Sequence, residues 1–131
     1  MSLLADASTI FRALITRRTA RVAGEYTLDL ARHELGNATL RQMRTHGTLT
    51  EEEAEELSAA AHSTLLNMTT LTVDDEPGVL RLAAATGLTF YDASYLHTAA
   101  RLNLTLATED TRLAQAAEEA DVPTTSLAEL T

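Results

Sequence analysis

LTFYDASYLHTAARLNLTLATEDTRL, running from Leu88 to Leu113, is the stretch on which the fold turns. Asp92, Tyr95, Leu96, Ala99 and Leu102 recur at helical spacing, which predicts an inward-packing helix opened and capped by Asp92. Leu104-Thr105-Leu106-Ala107-Thr108 then alternates as a short strand, and Glu109-Asp110 opens a second helix with the stripe Leu113, Ala116, Ala117 and Ala120. Two aspartates are thereby set at element ends, where α/β scaffolds mount their chemistry.

Towards the amino terminus, Ser2-Leu3-Leu4-Ala5-Asp6 reads as a buried strand ending on a carboxylate, with Ser8 as the cap of a helix through Phe11, Leu14 and Ile15. Gly24 breaks the chain before a short strand at Glu25-Tyr26-Thr27. From Leu28 to about Arg44, the positions Leu28, Ala31, Leu35 and Ala38 mark a helix, and Gly47 stops it. Glu34 lies at the border of that stripe, so it can look into a cleft. His33-Glu34-Leu35-Gly36-Asn37 imitates the start of an HExxH zinc motif, but Asn37 replaces the second histidine, which excludes the zinc protease reading.

Thr50 and Glu53 form a capping box for a helix reaching Leu65, and the acidic run Glu51 to Glu56 suits the positive end of its dipole. Met68 to Val73 alternates as a strand. Asp74 or Asp75 with Pro77 starts a helix that Gly87 ends. Beyond the central stretch, Asp121-Val122-Pro123 leads into an edge strand at Thr124 to Leu127.

The 131 residues suit one domain spanning 1–131, with a core of Leu, Ala, Val and Ile because only 4% of residues are aromatic. No cysteine is present, which removes disulfides, thiolate metal sites and cysteine nucleophiles together. No basic residue precedes Asp6 and no run of about 18 apolar residues occurs, so a cytoplasmic protein is expected. The formal net charge is -9, and every basic residue is arginine, as in a GC-rich genome or a salt-adapted proteome. Residues 1–44 hold seven Arg against four Asp/Glu, while the remainder holds three Arg against fifteen acids. A nucleic-acid contact therefore belongs to the first third.

Strands near 3–6, 25–27, 69–73, 104–108 and 124–127, separated by helices, imply an α/β protein with a mostly parallel five-stranded sheet. In the order 3-2-1-4-5 the chain reverses between the first and fourth strands, whose carboxyl ends form a crevice. Asp6 ends the first of those strands, Asp110 lies just past the fourth, and Asp92 and Glu34 enter from neighbouring helices. Each acid alone has a structural reading, as cap, dipole partner or solvated side chain. Four together are different, because unpaired like charges repel and some must take a proton. Hard divalent cations remove that conflict, and all-oxygen ligands point to Mg²⁺ or Mn²⁺.

These residues resemble the ordered acidic motifs of PIN-domain ribonucleases. The resemblance rests on Asp6 with Ser8, on Glu34, on Tyr91-Asp92-Ala93-Ser94-Tyr95 and on Thr108-Glu109-Asp110, and it spans nearly the whole chain. VapC-like toxins of type II toxin–antitoxin pairs are the most similar group. The stretch from Arg17 to Thr27 departs from the family pattern in being short. The resemblance implies a three-layer α/β/α fold and metal-dependent hydrolysis of RNA. It makes Asp6, Asp92 and Asp110 ligands of Mg²⁺ or Mn²⁺, Glu34 a ligand directly or through water, and Ser8 and Thr108 supporting hydroxyls. It further implies a cognate antitoxin and a homodimer. Arg12, Arg17, Arg18, Arg32 and Arg41 are the candidates for contacts to the RNA backbone.

Other functions compete with this one. A phosphoacceptor or phosphatase domain with Asp6 as nucleophile lacks a second aspartate two residues on, where Ser8 stands, and the chain has no lysine. Within the PIN fold, the rivals are a catalytically weakened binding module and a housekeeping RNA-processing nuclease.

Overall fold

Five strands form where the apolar and alternating runs predict them: β1 (Leu3–Ala5), β2 (Tyr26–Leu28), β3 (Thr69–Leu71), β4 (Thr105–Ala107) and β5 (Thr124–Thr125). The computed structural model, which describes residues 2–131, pairs them in the order β3-β2-β1-β4-β5 with every pair parallel. The helices are α1 (Ala7–Ile15), α2 (Ala31–Arg44), α3 (Glu51–Leu66), α4 (Glu76–Thr86), α5 (Phe90–Leu102) and α6 (Thr111–Glu119). Short 3-10 turns lie at Thr19–Arg21 and Leu127–Glu129.

Side-chain alternation along the two central strands divides the core. Leu4 and Leu106, paired in register, are buried with Val79, Tyr95, Leu96 and Leu113 under α4, α5 and α6. Ala5 and Ala107, the next pair, are buried with Ile10, Leu14, Leu35 and Ala61 under α1, α2 and α3. A parallel sheet covered on both faces follows, which gives the three-layer arrangement. The small alanines stand at the strand ends. They let α1 start immediately, so that Asp6 is at once the last residue of the strand run and the cap of the helix.

The strands are shorter than their apolar runs because polar side chains recruit the flanking residues. Asp6 still donates its N–H to the Ala107 carbonyl, but its side chain caps α1, accepting from the Thr9 N–H, so Ser8 is a helical residue and not the cap that the sequence suggests. Leu28 belongs to β2, opposite Leu71, and α2 begins only at Ala31. The second strand is therefore shifted by one residue from Glu25-Tyr26-Thr27, and the Glu25 carboxylate accepts the Leu3 N–H instead. After β5 the predicted edge strand gives way to the second 3-10 turn.

The helix that the sequence pattern opens at Asp92 starts two residues earlier. Thr89 is its cap, with its hydroxyl accepting the Asp92 N–H, and Asp92 occupies the third helical position. Asp110, by contrast, does cap its helix, its Oδ1 accepting the N–H groups of Arg112 and Leu113. The capping box of Thr50 and Glu53, the Asp75 cap followed by Pro77, and the left-handed Gly87 at the end of α4 form as expected.

Candidate active site

The four acids come from four different places in the chain and line one cavity of about 900 Å³ at the carboxyl ends of β1 and β4. Asp6 and Ser8 enter from the β1–α1 junction, Glu34 from α2, Asp92 from α5, and Glu109 and Asp110 from the β4–α6 junction. Reversal of the chain between β1 and β4 opens this space, since the crossovers leave in opposite directions from adjacent strands.

Asp6 is only 4% exposed, yet no cation pairs with it among the described residues. Its Oδ1 accepts from Ser8 Oγ at 2.6 Å and Thr9 N at 3.0 Å, and its Oδ2 accepts from Thr108 Oγ1 at 2.5 Å. Each hydroxyl is in turn an acceptor: Ser8 Oγ takes the Glu109 N–H at 2.9 Å and Thr108 Oγ1 takes the Asp110 N–H at 3.0 Å. Two backbone donors of the β4–α6 corner are thus relayed through two hydroxyls to one carboxylate. Burial pushes the Asp6 carboxyl above its ordinary range, the hydrogen bonds from Ser8, Thr108 and Thr9 oppose this, and the Asp92 charge adds to it.

Glu34 is held differently. Its Oε1 accepts the Tyr95 hydroxyl at 2.9 Å, and burial, reinforced by the charges of Asp6 and Asp92, pushes its carboxyl up to about 7 against that hydrogen bond. Asp92 is also raised, chiefly by burial and then by Asp110, with Arg112 and Thr89 opposing. Asp110 is exposed and spends Oδ1 on the start of α6.

The arginines divide. Arg12 on α1 and Arg41 on α2 are exposed and line the same cavity as the acids, with His33 and His46. Arg17 lines a second cavity beside Thr19, Ala20 and Asn67, and Arg32 lines a small one between α2 and α3. Arg18 lies in the exposed turn after α1.

Three residues that the sequence places only in a helix pattern or motif gain a role around the site. Tyr95, 1% exposed, spans from the core to Glu34, and a tyrosine on an apolar helix stripe, with a hydroxyl needing a partner, was the signal for it. Tyr91, 60% exposed, forms part of the cavity wall next to Asp92. Glu109 accepts from Thr9 Oγ1 and the Leu127 N–H, which ties the carboxyl-terminal segment to α1. Its partners are remote in sequence, so no local pattern announces it.

In donor chemistry the group fits a hard divalent cation: several carboxylates, no thiolate, and carboxyls of Asp6, Glu34 and Asp92 that burial raises above their ordinary range. In spacing the acids stand apart, since among the described residues no three histidine, aspartate or glutamate side chains gather closely enough to hold one ion. No described helix is long and apolar enough to cross a membrane.

The crystal structure of PAE2754 from Pyrobaculum aerophilum is similar to this chain, with a TM-score of 0.82 and 25% sequence identity over 98% of this chain and 90% of that one. No curated protein matches. The family model of the PIN domain matches residues 4–119, which include all four acids and both hydroxyls, and the chain therefore belongs to the PIN domain family.

Proposed function

We propose that the protein is a Mg²⁺- or Mn²⁺-dependent ribonuclease that hydrolyses RNA phosphodiester bonds, and that it is the toxin of a VapBC-type toxin–antitoxin pair. The observation that carries the nuclease reading is the convergence of Asp6, Glu34, Asp92 and Asp110 on one cavity whose wall also bears Arg12 and Arg41. Carboxylates alone would repel a phosphodiester. Buried acids raised above their ordinary range, with no cation paired to them among the described residues, beside arginines facing the same space, suit a cation and a polyanion together.

Asp6, Asp92 and Asp110 would hold the ion together with waters that fill the gaps their spacing leaves, with Glu34 joining directly or through water. A divalent ion there would lower the pKa of water and offset charge on the phosphoryl oxygens. The chain's own groups prepare the place. Ser8, Thr9 and Thr108 fix the Asp6 carboxylate before anything binds. Positive charge entering the cavity would favour the ionised forms of Glu34 and Asp6, whose carboxyls burial raises. Arg12 and Arg41 take phosphates on the approach, and the Tyr91 ring offers a face on which an unpaired base can stack. Hydrolysis adds water across a P–O bond, leaving a phosphate on one fragment and a hydroxyl on the other.

As a toxin the protein would be held inactive by a cognate antitoxin covering this groove. It would pair as a homodimer in the cytoplasm, with exposed Leu66, Leu80 and Leu102 as apolar contact material. The spacing of the acids favours a second reading, a weakened PIN-fold binding module. A housekeeping RNA-processing nuclease differs from the toxin only in its regulation. Purified protein should cut RNA with Mg²⁺ or Mn²⁺ and stop in EDTA. Undiminished cleavage in EDTA would remove the mechanism, and absence of Mn²⁺ binding in calorimetry would select the weakened module. Arrest of growth on induction without an antitoxin separates toxin from housekeeping enzyme.

A further inference from the structure

Glu34 sits on a long helix at the border of the cavity, with no ion pair and a single hydrogen bond to its carboxylate among the described residues, from the Tyr95 hydroxyl. Tyr95 is the largest fully buried side chain of the core, and it belongs to the same buried cluster as Leu4, Leu28, Leu96 and Leu106. Its position is therefore set by the fold and not by the ligand. A glutamate has three rotatable bonds before its carboxyl group, so an unrestrained one would sample many placements. The phenol, anchored in the sheet's core, selects among them.

We propose that Tyr95 is the positioning residue for Glu34: its hydroxyl holds Oε1 and so leaves Oε2 as the oxygen that Glu34 offers to a divalent cation. This rests on the reading of the cavity as a metal site. Tyr95 borders the cavity but is only 1% exposed, so it has almost no surface to offer a ligand directly. It acts through Glu34 as an outer partner acts on a metal-binding carboxylate, by fixing which oxygen is free and where it stands. The chain thereby couples its rigid core to the wall of the site that has the fewest hydrogen bonds. Tyr95→Phe removes the hydroxyl and keeps the ring, so the cluster shared with Leu4 and Leu106 stays filled.

The test is a double-mutant cycle on Mn²⁺ affinity, measured by calorimetry on the full chain as wild type, Y95F, E34Q and Y95F/E34Q, with melting curves of each without metal. If Tyr95 works through Glu34, Y95F binds Mn²⁺ about tenfold more weakly than wild type while melting cooperatively, and raising Mn²⁺ restores its cleavage of RNA. In the E34Q background the same substitution then has no further effect on affinity. Equal affinity of Y95F and wild type overturns the proposal. So does an equal loss in both backgrounds, which would mark a general effect of the hydroxyl, and so does a Y95F chain without a cooperative melt. Failure of the metal-site reading looks different: wild type itself binds no Mn²⁺, or E34Q binds it as wild type does.

Discussion

Asp6 and Glu34 face the same cavity, but the first carboxylate is held by three hydrogen bonds from groups on two chain corners and the second by one, from a single phenol. The Asp6 wall is a closed web in which every hydroxyl both donates and accepts, so its geometry exists before any ligand arrives. The wall formed by Glu34 and Asp92 stands on two helices, and burial together with neighbouring charge sets its state. One wall supplies position and the other supplies adjustable charge. Substitutions should then separate into those that break the frame and those that change only the electrostatics.

The largest effect should come from breaking the frame. Asp6→Ala removes the α1 cap and the acceptor of both Ser8 and Thr108, and should cost about 2–4 kcal/mol of stability while lowering cleavage by about 10²–10³-fold. Stability follows from a denaturant melt and cleavage from a labelled RNA. An Asp6→Ala chain with wild-type stability would show that the web is not a frame. Asp92→Asn should act otherwise. Thr89 caps α5, so an asparagine at the third position leaves the helix start intact, and the loss of one charge relieves repulsion in the metal-free protein. We expect an equal or slightly higher melting temperature without metal, a smaller gain from Mn²⁺, and about 10²-fold less cleavage. Wild-type cleavage by this variant would take Asp92 out of the site. Because the cap is elsewhere, a loss cannot be ascribed to a frayed helix.

The same division governs what could be read without coordinates. The strands and helices that carry the acids are legible from periodicity, since apolar alternation and helical stripes are local signals of burial, whereas the strand order is not a local signal and comes with the resemblance to PIN domains. Caps differ from the sequence pattern where two candidates stand close together. Asp6 took the place expected for Ser8, and Thr89 the place expected for Asp92, because a cap depends on where the strand lets go of the chain. Leu28 was assigned to a helix because its apolar side chain fits either period, and only pairing with Leu71 decides it. The Asp6 web was half legible: Ser8 lies two residues from Asp6, but Thr108 is 102 residues away. The Tyr95 hydrogen bond crosses 61 residues, and nothing local indicates its partner.

A smaller effect should appear in the pH dependence of the adjustable wall. Glu34 moves from an ordinary 4.5 to about 7 on folding, so its protonated form favours the folded state. That stability is complete below about 4.5 and is lost as pH rises through about 7; Asp6, also raised, has the same sign. With solvent screening the loss is about 1–2 kcal/mol for Glu34. In EDTA the melting temperature should fall between pH 4.5 and 7.5, with a shallower fall for Glu34→Gln. Saturating Mn²⁺ should flatten or reverse the slope, since the ion binds the ionised acids. A metal-free melting temperature that rises over this range would contradict the assignment.

The smallest effect concerns the two arginines that face the cavity, Arg12 from α1 on the rigid wall and Arg41 from α2 on the adjustable one. Both are exposed, so neither owes its placement to the web around Asp6 or to Tyr95. If each contacts one phosphate, Arg12→Gln and Arg41→Gln should each weaken RNA binding severalfold at low salt and leave kcat nearly unchanged. Each should also make the salt dependence shallower by about 0.7 in log K against log salt, the value for one contact to a single strand. At about 1 M salt, where the screening length is about 3 Å, the variants should bind like wild type. A change in only one of the two would mean that the RNA follows a single wall. The same loss at every salt concentration would mean that the arginine supports the fold of its helix, and would remove it from the path of the substrate.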